Sequence, residues 1–581
     1  AELVRTAYVV SSQQKAVLHV VRNLACFSAL VIVALSAYAY FRHLPVAEVI
    51  ALMLTAVLAS IPVALPATFT VASAIGARAL ARLGVLLTRL SAVDEAATMD
   101  VLCADKTGTL TRNALSMASV QAMAGFDEAH VLALAALASS DGGQDPVDAA
   151  IRAAAASRGT SDTPQLVKFV PFDPATKMSG ATVRDAGGET RQILKGAFAV
   201  VVGLAQPSPG AAAAAAELEG KGFRVLAVAT GPSGALQVAG LVALSDPPRS
   251  DSAKLIAELR GLGVRTVMVT GDAPSTAAIV ARAIGLRAMI CPPGPIPDGV
   301  WPEAFDVFAG VLPEDKYRLV KMFQTSGHTV GMCGDGANDA PALRQAQIGI
   351  AVSTATDVAK SAAGMVLTDP GLSGIVAAVR EGRVTFQRIQ TYTLNSILKK
   401  IVTMLLLVVG LVMTGHAVLT PFLMIILMVI GDFLAMSLTT DNVRPSPMPN
   451  AWRIGSLTIA GIIIGLCLLA FCTGLLAVGK YELNLGTDAL RTVTFLSVVF
   501  GGQATIYAIR ERQHLCRSAP SVWLLISSMA DIAIGSVLAL FGIAMTPLAP
   551  MIVAEMFGAA VVFTIVLDVV KLPIFAQLRI T

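Results

Sequence analysis

Predominantly apolar windows run along the chain from about Leu18 to Phe41, Val49 to Ile75, Leu394 to Met413, Val418 to Leu438, Ile459 to Val478, Val493 to Ile509, Val522 to Phe541 and Met551 to Val570. Each approaches the ~20 residues that a helix needs to cross a bilayer, so the pattern predicts eight membrane spans. From about Leu90 to Arg383 no such run is sustained. There the β-rich runs Val101 to Ala104, Val264 to Thr270 and Thr329 to Cys333 each end at a polar cluster. That βα alternation predicts a parallel sheet whose ligands lie at the carboxyl ends of its strands. Between about Arg112 and Leu244 a stretch with its own apolar runs reads as one domain inserted in another. The alanine run at 211–216 reads as helix and the Pro/Gly-rich Cys291 to Trp301 as a surface loop.

Composition agrees with this division. The 581 residues are 55% hydrophobic and only 14% charged, and the mean hydropathy is +0.71. A water-soluble enzyme is excluded. The net charge of +4 is too small for this length to imply a nucleic-acid partner. Lys and Arg collect on one side of the predicted spans, at Arg78, Arg82, Arg89, Arg380, Arg383, Arg388, Arg444, Arg453, Arg510, Arg512, Arg517, Lys571 and Arg579, whereas 414–418 and 542–547 are almost uncharged. This asymmetry places the large polar domain and both ends of the chain on the cytoplasmic side. The seven cysteines have no metal-binding spacing and read as reduced. The opening AELVRTAYVV resembles neither a signal peptide nor a domain start, so the chain is expected to begin inside a larger unit.

The strongest chemical signal is DKTGTLT, Asp105 to Thr111, directly after the strand Val-Leu-Cys-Ala. A carboxylate at a strand end is a nucleophile toward phosphorus if a cation neutralises the approach of two anions. Lys106, Thr107 and the turn at Gly108 supply charge, hydroxyl and free backbone N–H groups. A second strand ends in Thr270, Gly271 and Asp272, where a hydroxyl and an amide can hold a phosphoryl oxygen. A third, in GMCGDGANDAPAL, sets Asp335, Asn338 and Asp339 around a glycine turn. Hard oxygen donors beside phosphate suit Mg²⁺, with Asp335 the best placed. Lys316 is positioned in sequence either to neutralise a phosphoaspartate or to sit solvated on the surface.

These strings resemble those of P-type ATPases, ion pumps built on a haloacid-dehalogenase-like phosphorylation domain. The resemblance implies a multi-domain membrane protein: a helical bundle, an α/β phosphorylation domain (76–112 and 245–385) and an inserted α+β nucleotide-binding domain (113–244). Two helices are then expected over 18–75 and six over 386–581. It further implies that Asp105 is phosphorylated by ATP, that Asp105, Thr107 and Asp335 hold Mg²⁺, and that the segments at 270–272 and 334–343 complete the site. No Walker-type loop is present, so ATP must be held in another way. VPFDPATKM, LKGA and GFRVLAVA resemble the family's nucleotide-binding segments, which makes Phe172 a candidate to stack on adenine and Lys177, Lys195, Gly196 and Arg224 candidates for the rest of the nucleotide. Lys177 is followed by Met178 where many relatives have arginine. The segment at 246–251 resembles the return hinge into the phosphorylation domain.

For the ion, Pro62 and Pro66 are expected to break the second span and free carbonyls beside a polar cavity. Neither the Cys-Pro-Cys of heavy-metal pumps nor the Pro-Glu-Gly-Leu of calcium and sodium pumps stands there. Asp432 lies within the fourth span, and an ionisable group at that depth is a functional candidate. Its surroundings resemble the sixth helix of plasma-membrane proton ATPases, which makes Asp432 the implied proton carrier and H⁺ the transported cation, in the cell's inner (plasma) membrane. Lys399 and Lys400 match, within two residues, the place of a restraining arginine; alternatively both snorkel toward the cytoplasmic face. Asp531, Glu555 and Asp568 read as partnered structural or interfacial charges. Relatives have ten helices and an actuator domain with a Thr-Gly-Glu loop that this chain lacks. The opening residues (1–17) read as the tail of that domain and its linker. Two readings stay open, an incomplete proton pump or a truncated protein that binds ATP and autophosphorylates without pumping; a pump for another cation is the third.

Overall fold

The computed structural model describes residues 12–112, 114–142, 145–158, 164–185, 188–292, 296 and 301–580. Residues 1–11, most of the expected actuator remnant, lie outside these, as do 293–295 and 297–300 of the proline-rich loop. The chain divides into two compact units, Asp100–Val376 and, from either side of it, Tyr8–Met99 with Ala377–Thr581.

In the first unit six parallel strands lie in the order Met365–Leu367, Ile348–Ala351, Val330–Gly334, Val101–Asp105, Arg265–Thr270 and Val307–Ala309. Burial on both faces explains why the central strands read as unbroken apolar runs. After Val101–Asp105 the chain fills one side of that strand, then returns to fill the other. The direction therefore reverses between Val101–Asp105 and Val330–Gly334, and a crevice opens beyond their carboxyl ends.

The inserted segment is a six-stranded antiparallel sheet, ordered Ser116–Ala122, Gln237–Ser245, Arg224–Gly231, Thr190–Ala197, Met178–Arg184 and Gln165–Asp173. Helices Glu128–Leu137 and Pro146–Arg158 cover one face through Val131, Leu132 and Ile151. Phe198–Leu204 and Ala211–Gly220 cover the other through Val201, Ala215 and Leu218. The alanine run is thus helical, with one side buried. Entry and exit of the insertion run side by side: Arg112 N donates to Pro247 O at 3.2 Å and Arg249 N to Leu110 O at 3.1 Å. The Thr111 hydroxyl adds a 2.5 Å bond to Asp246.

Among the described residues eight helices are long and apolar enough to cross a membrane: Lys15–Phe41, Val46–Arg82, Ser373–Thr414, Pro421–Thr440, Ile454–Glu482, Thr487–Arg510, Val522–Phe541 and Pro550–Leu578, spans 1 to 8 below. Span 6 has the lowest hydropathy and is almost wholly enclosed by the others. A helix hidden from lipid can carry the polar Gln503 and the small Thr494, Ser497, Gly501 and Gly502, which admit close neighbours. Span 2 is interrupted between Ser60 and Leu65, with Ile61 extended, as its two prolines lead one to expect. Pro66 falls in the first turn of the second half, where a missing N–H costs no helical bond.

Candidate functional site

Asp105, Thr270 and Gly334 end three adjacent parallel strands, so their polar side chains and the loops after them meet in the crevice. Asp105 is buried, with Oδ1 accepting from Lys106 N at 2.8 Å and Oδ2 facing Lys316 Nζ at 3.0 Å. Lys316 also binds Asp339 Oδ1 at 2.7 Å. The other oxygen of Asp339 accepts from the N–H groups of Asp335 and Gly336, at 3.2 and 3.1 Å. Lys316 is therefore a buried bridge between two carboxylates and not a surface lysine. Lys106 reaches across to Asp272 at 2.7 Å, and Thr270 Oγ1 accepts from Asp272 N at 3.1 Å, which fixes the turn at Gly271. Asn338 is exposed at the rim.

Burial pushes the Asp105 carboxyl up to about 6, against the pull of Lys316. Burial and the neighbouring Asp339 also raise Asp335. Lys316 pays for its own burial, yet Asp105 and Asp339 hold its ammonium above the usual lysine range. Cys333, beneath the site, is a poor nucleophile because burial pushes its thiol up to about 12.

Carboxylate oxygens of Asp105, Asp335 and Asp339 lie within 4.8 Å of one another. Asp339 is the most committed of the three, with Lys316 on one oxygen and two backbone N–H groups on the other. Each Asp105 oxygen accepts one bond and keeps a lone pair, so Asp105 and Asp335 are the hard donors, with the half-buried Thr107 next to them. That donor set fits Mg²⁺. Gly108 makes the approach possible: at φ +69°, a Cβ there would stand 2.8 Å from Asp335 Oδ2. Gly108→Ala is expected to slow phosphoryl transfer at least ~100-fold by displacing Asp335. The initial rate of label incorporation from γ-labelled ATP measures this, and an unchanged rate would refute the assigned closeness.

In the insertion, Phe172, Lys177, Gly196 and Arg224 come to one end of four neighbouring strands. Phe172, Lys177 and Arg224 are exposed there. Gly196 permits tight strand contact, since a Cβ would lie 2.5 Å from Lys177 O. Lys195 does not join this surface. It is 3% exposed, donates to Ser139 Oγ at 2.6 Å and forms an ion pair with Asp148. Burial draws its ammonium below the usual range while Asp148 opposes the shift. Lys195→Met should destabilise the insertion by about 3–5 kcal/mol, because Asp148 is left buried and unpaired. A urea titration tests this, and Lys195→Met/Asp148→Leu should recover most of the loss.

In the membrane unit, Lys400 Nζ lies 3.1 Å and Lys399 Nζ 3.7 Å from the two oxygens of Asp432. Neither lysine is snorkelling, since both turn onto the carboxylate. Span 4 widens to a π-turn over Met428–Asp432 and tightens to a 3₁₀ turn over Met436–Thr440, the kind of irregularity that collects at functional sites. Gly431 leaves room for Lys399, whose ammonium would stand 2.9 Å from a Cβ at that position. A cavity of about 20 Å³ adjoins them, lined also by Thr403, Gly502 and Asp531. Asp531, read from sequence as a structural charge, is bonded by Gln503 through one oxygen, while its other oxygen is buried without a partner. It lines the same cavity as the two lysines, so two amine and two carboxyl side chains face one space. Pro62 and Pro66 are not in the wall of this cavity.

The fold and the crevice define a class: a membrane-embedded chain with a phosphoryl-transfer domain of the haloacid dehalogenase type. Residues 99–347 match the family model of haloacid dehalogenase-like hydrolases, and residues 317–379 match a second model of the same description. The whole chain is 33% identical to a Methanocaldococcus jannaschii protein named provisionally as a cation-transporting ATPase, and it covers 74% of that protein. The chain belongs to the P-type, cation-transporting ATPases.

Proposed function

We propose that this chain carries the phosphorylation and ion-binding parts of a proton pump driven by ATP, with an aspartyl phosphate formed on Asp105. An Asp105 oxygen attacks the γ-phosphorus of ATP, and the bond to the β-γ bridging oxygen breaks to release ADP. Lys316 and Lys106 offset the meeting of anions; Thr270 and Gly271 offer a hydroxyl and an N–H to the transferred oxygens. Mg²⁺, held by Asp105, Thr107 and Asp335, would neutralise phosphate charge when bound. Asp339 acts through Lys316 and the Asp335 loop, and Asn338 bounds the entry. Phe172, Lys177 and Arg224 form the face for adenine and phosphates, with Gly196 shaping it and Lys195 supporting it from below.

The observation that carries the choice of ion is the pair of ammonium groups on Asp432. A metal cation needs several oxygen donors, six or more for Ca²⁺, and would meet two positive charges here. A proton needs one carboxylate and a path, and a cavity of about 20 Å³ has room for a water molecule. In this reading Asp432 carries the proton, and Lys399 and Lys400 hold the emptied carboxylate against back-flow. The test is ATP-driven acidification of reconstituted vesicles followed with a pH-sensitive dye. Acidification without added metal cations other than Mg²⁺ is expected. ATP-driven flux of sodium, potassium or calcium with no pH change would overturn it. The arginine-rich loops support an ATP site facing the cytoplasm, and the resemblance around Asp432 to plasma-membrane proton pumps supports the cell's inner membrane.

A further inference from the structure

The arginines that follow spans 4, 6 and 8 converge on one cavity of about 900 Å³ at a single end of the membrane unit. Its lining contains Arg444, Arg453, Arg510, Arg512, Arg517 and Arg579 against one acid, Glu511. Arg510 is neutralised by Asp441 at 2.8 Å. Arg444 donates to the Arg517 carbonyl at 3.2 Å. Among the described residues Arg453, Arg517 and Arg579 have no acidic partner, and all three are exposed. Arg512 stacks over Phe575 at 5.5 Å and keeps a buried Nε with no hydrogen-bond partner. An even spread of charge over loops satisfies the membrane-orientation bias; it does not require a concave basin with unpaired guanidinium groups.

We propose that this basin binds the phosphate-bearing headgroup of an anionic membrane phospholipid. Guanidinium forks suit phosphate oxygens, and basic pockets between membrane helices take such headgroups. The lipid source is favoured over a free anion by the floor and its continuation. Leu457, Leu572, Phe575, Ala576 and Ile580 supply apolar surface beneath the arginines. Leu572 and Ala576 extend an exposed stripe on span 8, Val562, Ile565 and Val569, at helical spacing of three and four residues. From Val562 to Ala576 the stripe is about 21 Å long at ~1.5 Å per residue, enough for the ~15 Å of hydrocarbon in one leaflet. Trp523, exposed in the first turn of span 7, marks the same interfacial level.

The test uses the full chain in mixed micelles of phosphatidylcholine and phosphatidylglycerol, with retained lipids counted by native mass spectrometry. Preferential retention of phosphatidylglycerol is expected, weakened about a hundredfold in Arg453→Gln/Arg517→Gln/Arg579→Gln at roughly a fivefold loss per arginine. Glu511→Gln, which removes the one acid in the lining, should raise retention a few-fold, and it carries the test alone if the triple variant does not fold. Equal retention of the two lipids, or retention unmoved by these variants, overturns the proposal. So does displacement of phosphatidylglycerol by millimolar inorganic phosphate or glycerol phosphate, which would make the basin a site for soluble anions.

Discussion

Asp105→Asn is expected to abolish the acid-stable phosphoenzyme, with label from γ-labelled ATP falling by at least ~10⁴-fold, as when a catalytic nucleophile is removed. Fold and nucleotide binding should survive. Asparagine keeps the shape and can accept from Lys106 N, and Lys316 retains Asp339 at 2.7 Å. In Mg²⁺-free buffer the variant should even be somewhat more stable. A carboxyl raised to about 6 by burial opposes folding when ionised. That penalty is full above pH 6 and is relieved as pH falls from about 6 toward the ordinary value of 3.8. The unfolding midpoint of the wild type should therefore approach that of the variant across that window. A phosphoenzyme persisting in the variant, at full yield, would remove Asp105 from the reaction.

The second large effect is expected at Asp432. In Asp432→Asn vesicles, ATP-driven acidification should fall at least ~100-fold, the loss typical of a misplaced proton carrier. Phosphorylation of Asp105 should remain detectable, which separates this outcome from a failure to fold. The variant leaves Lys399 and Lys400 facing a neutral amide and only Asp531 to balance them, so a stability loss of about 3–5 kcal/mol is also expected. Asp432→Asn/Lys400→Met should recover stability but not transport. Acidification at the wild-type rate in the single variant would remove Asp432 as the carrier.

The spans were legible because lipid contact imposes a composition, and the strands of the parallel sheet because burial on both faces does. Limits were less legible. The third span reads from Leu394 but its helix starts at Ser373, since the first turns are half polar and are packed against protein. The meeting of the three polar clusters in one crevice could be read because each strand end carries its chemistry in a continuous string. The depth of Lys195 could not, because its partner Asp148 lies in a helix with no distinguishing pattern. Asp531 was missed for a related reason: its place beside Asp432 depends on four spans, and no sequence periodicity links one span to the next. Counting charge would have been a signal, since one buried and one half-buried lysine opposite a single aspartate leave a cation to balance.

The paired crossing of residues 110–112 and 247–249 gives the insertion the character of a detachable cassette. Its two stumps are neighbours in a short antiparallel ladder, about 5 Å apart by strand geometry. A short turn could close the gap after excision, and the excised piece keeps both of its apolar layers. On the function proposed above, nucleotide recognition can thus be exchanged or redesigned by transplantation, while the parallel sheet with Asp105 keeps its own register.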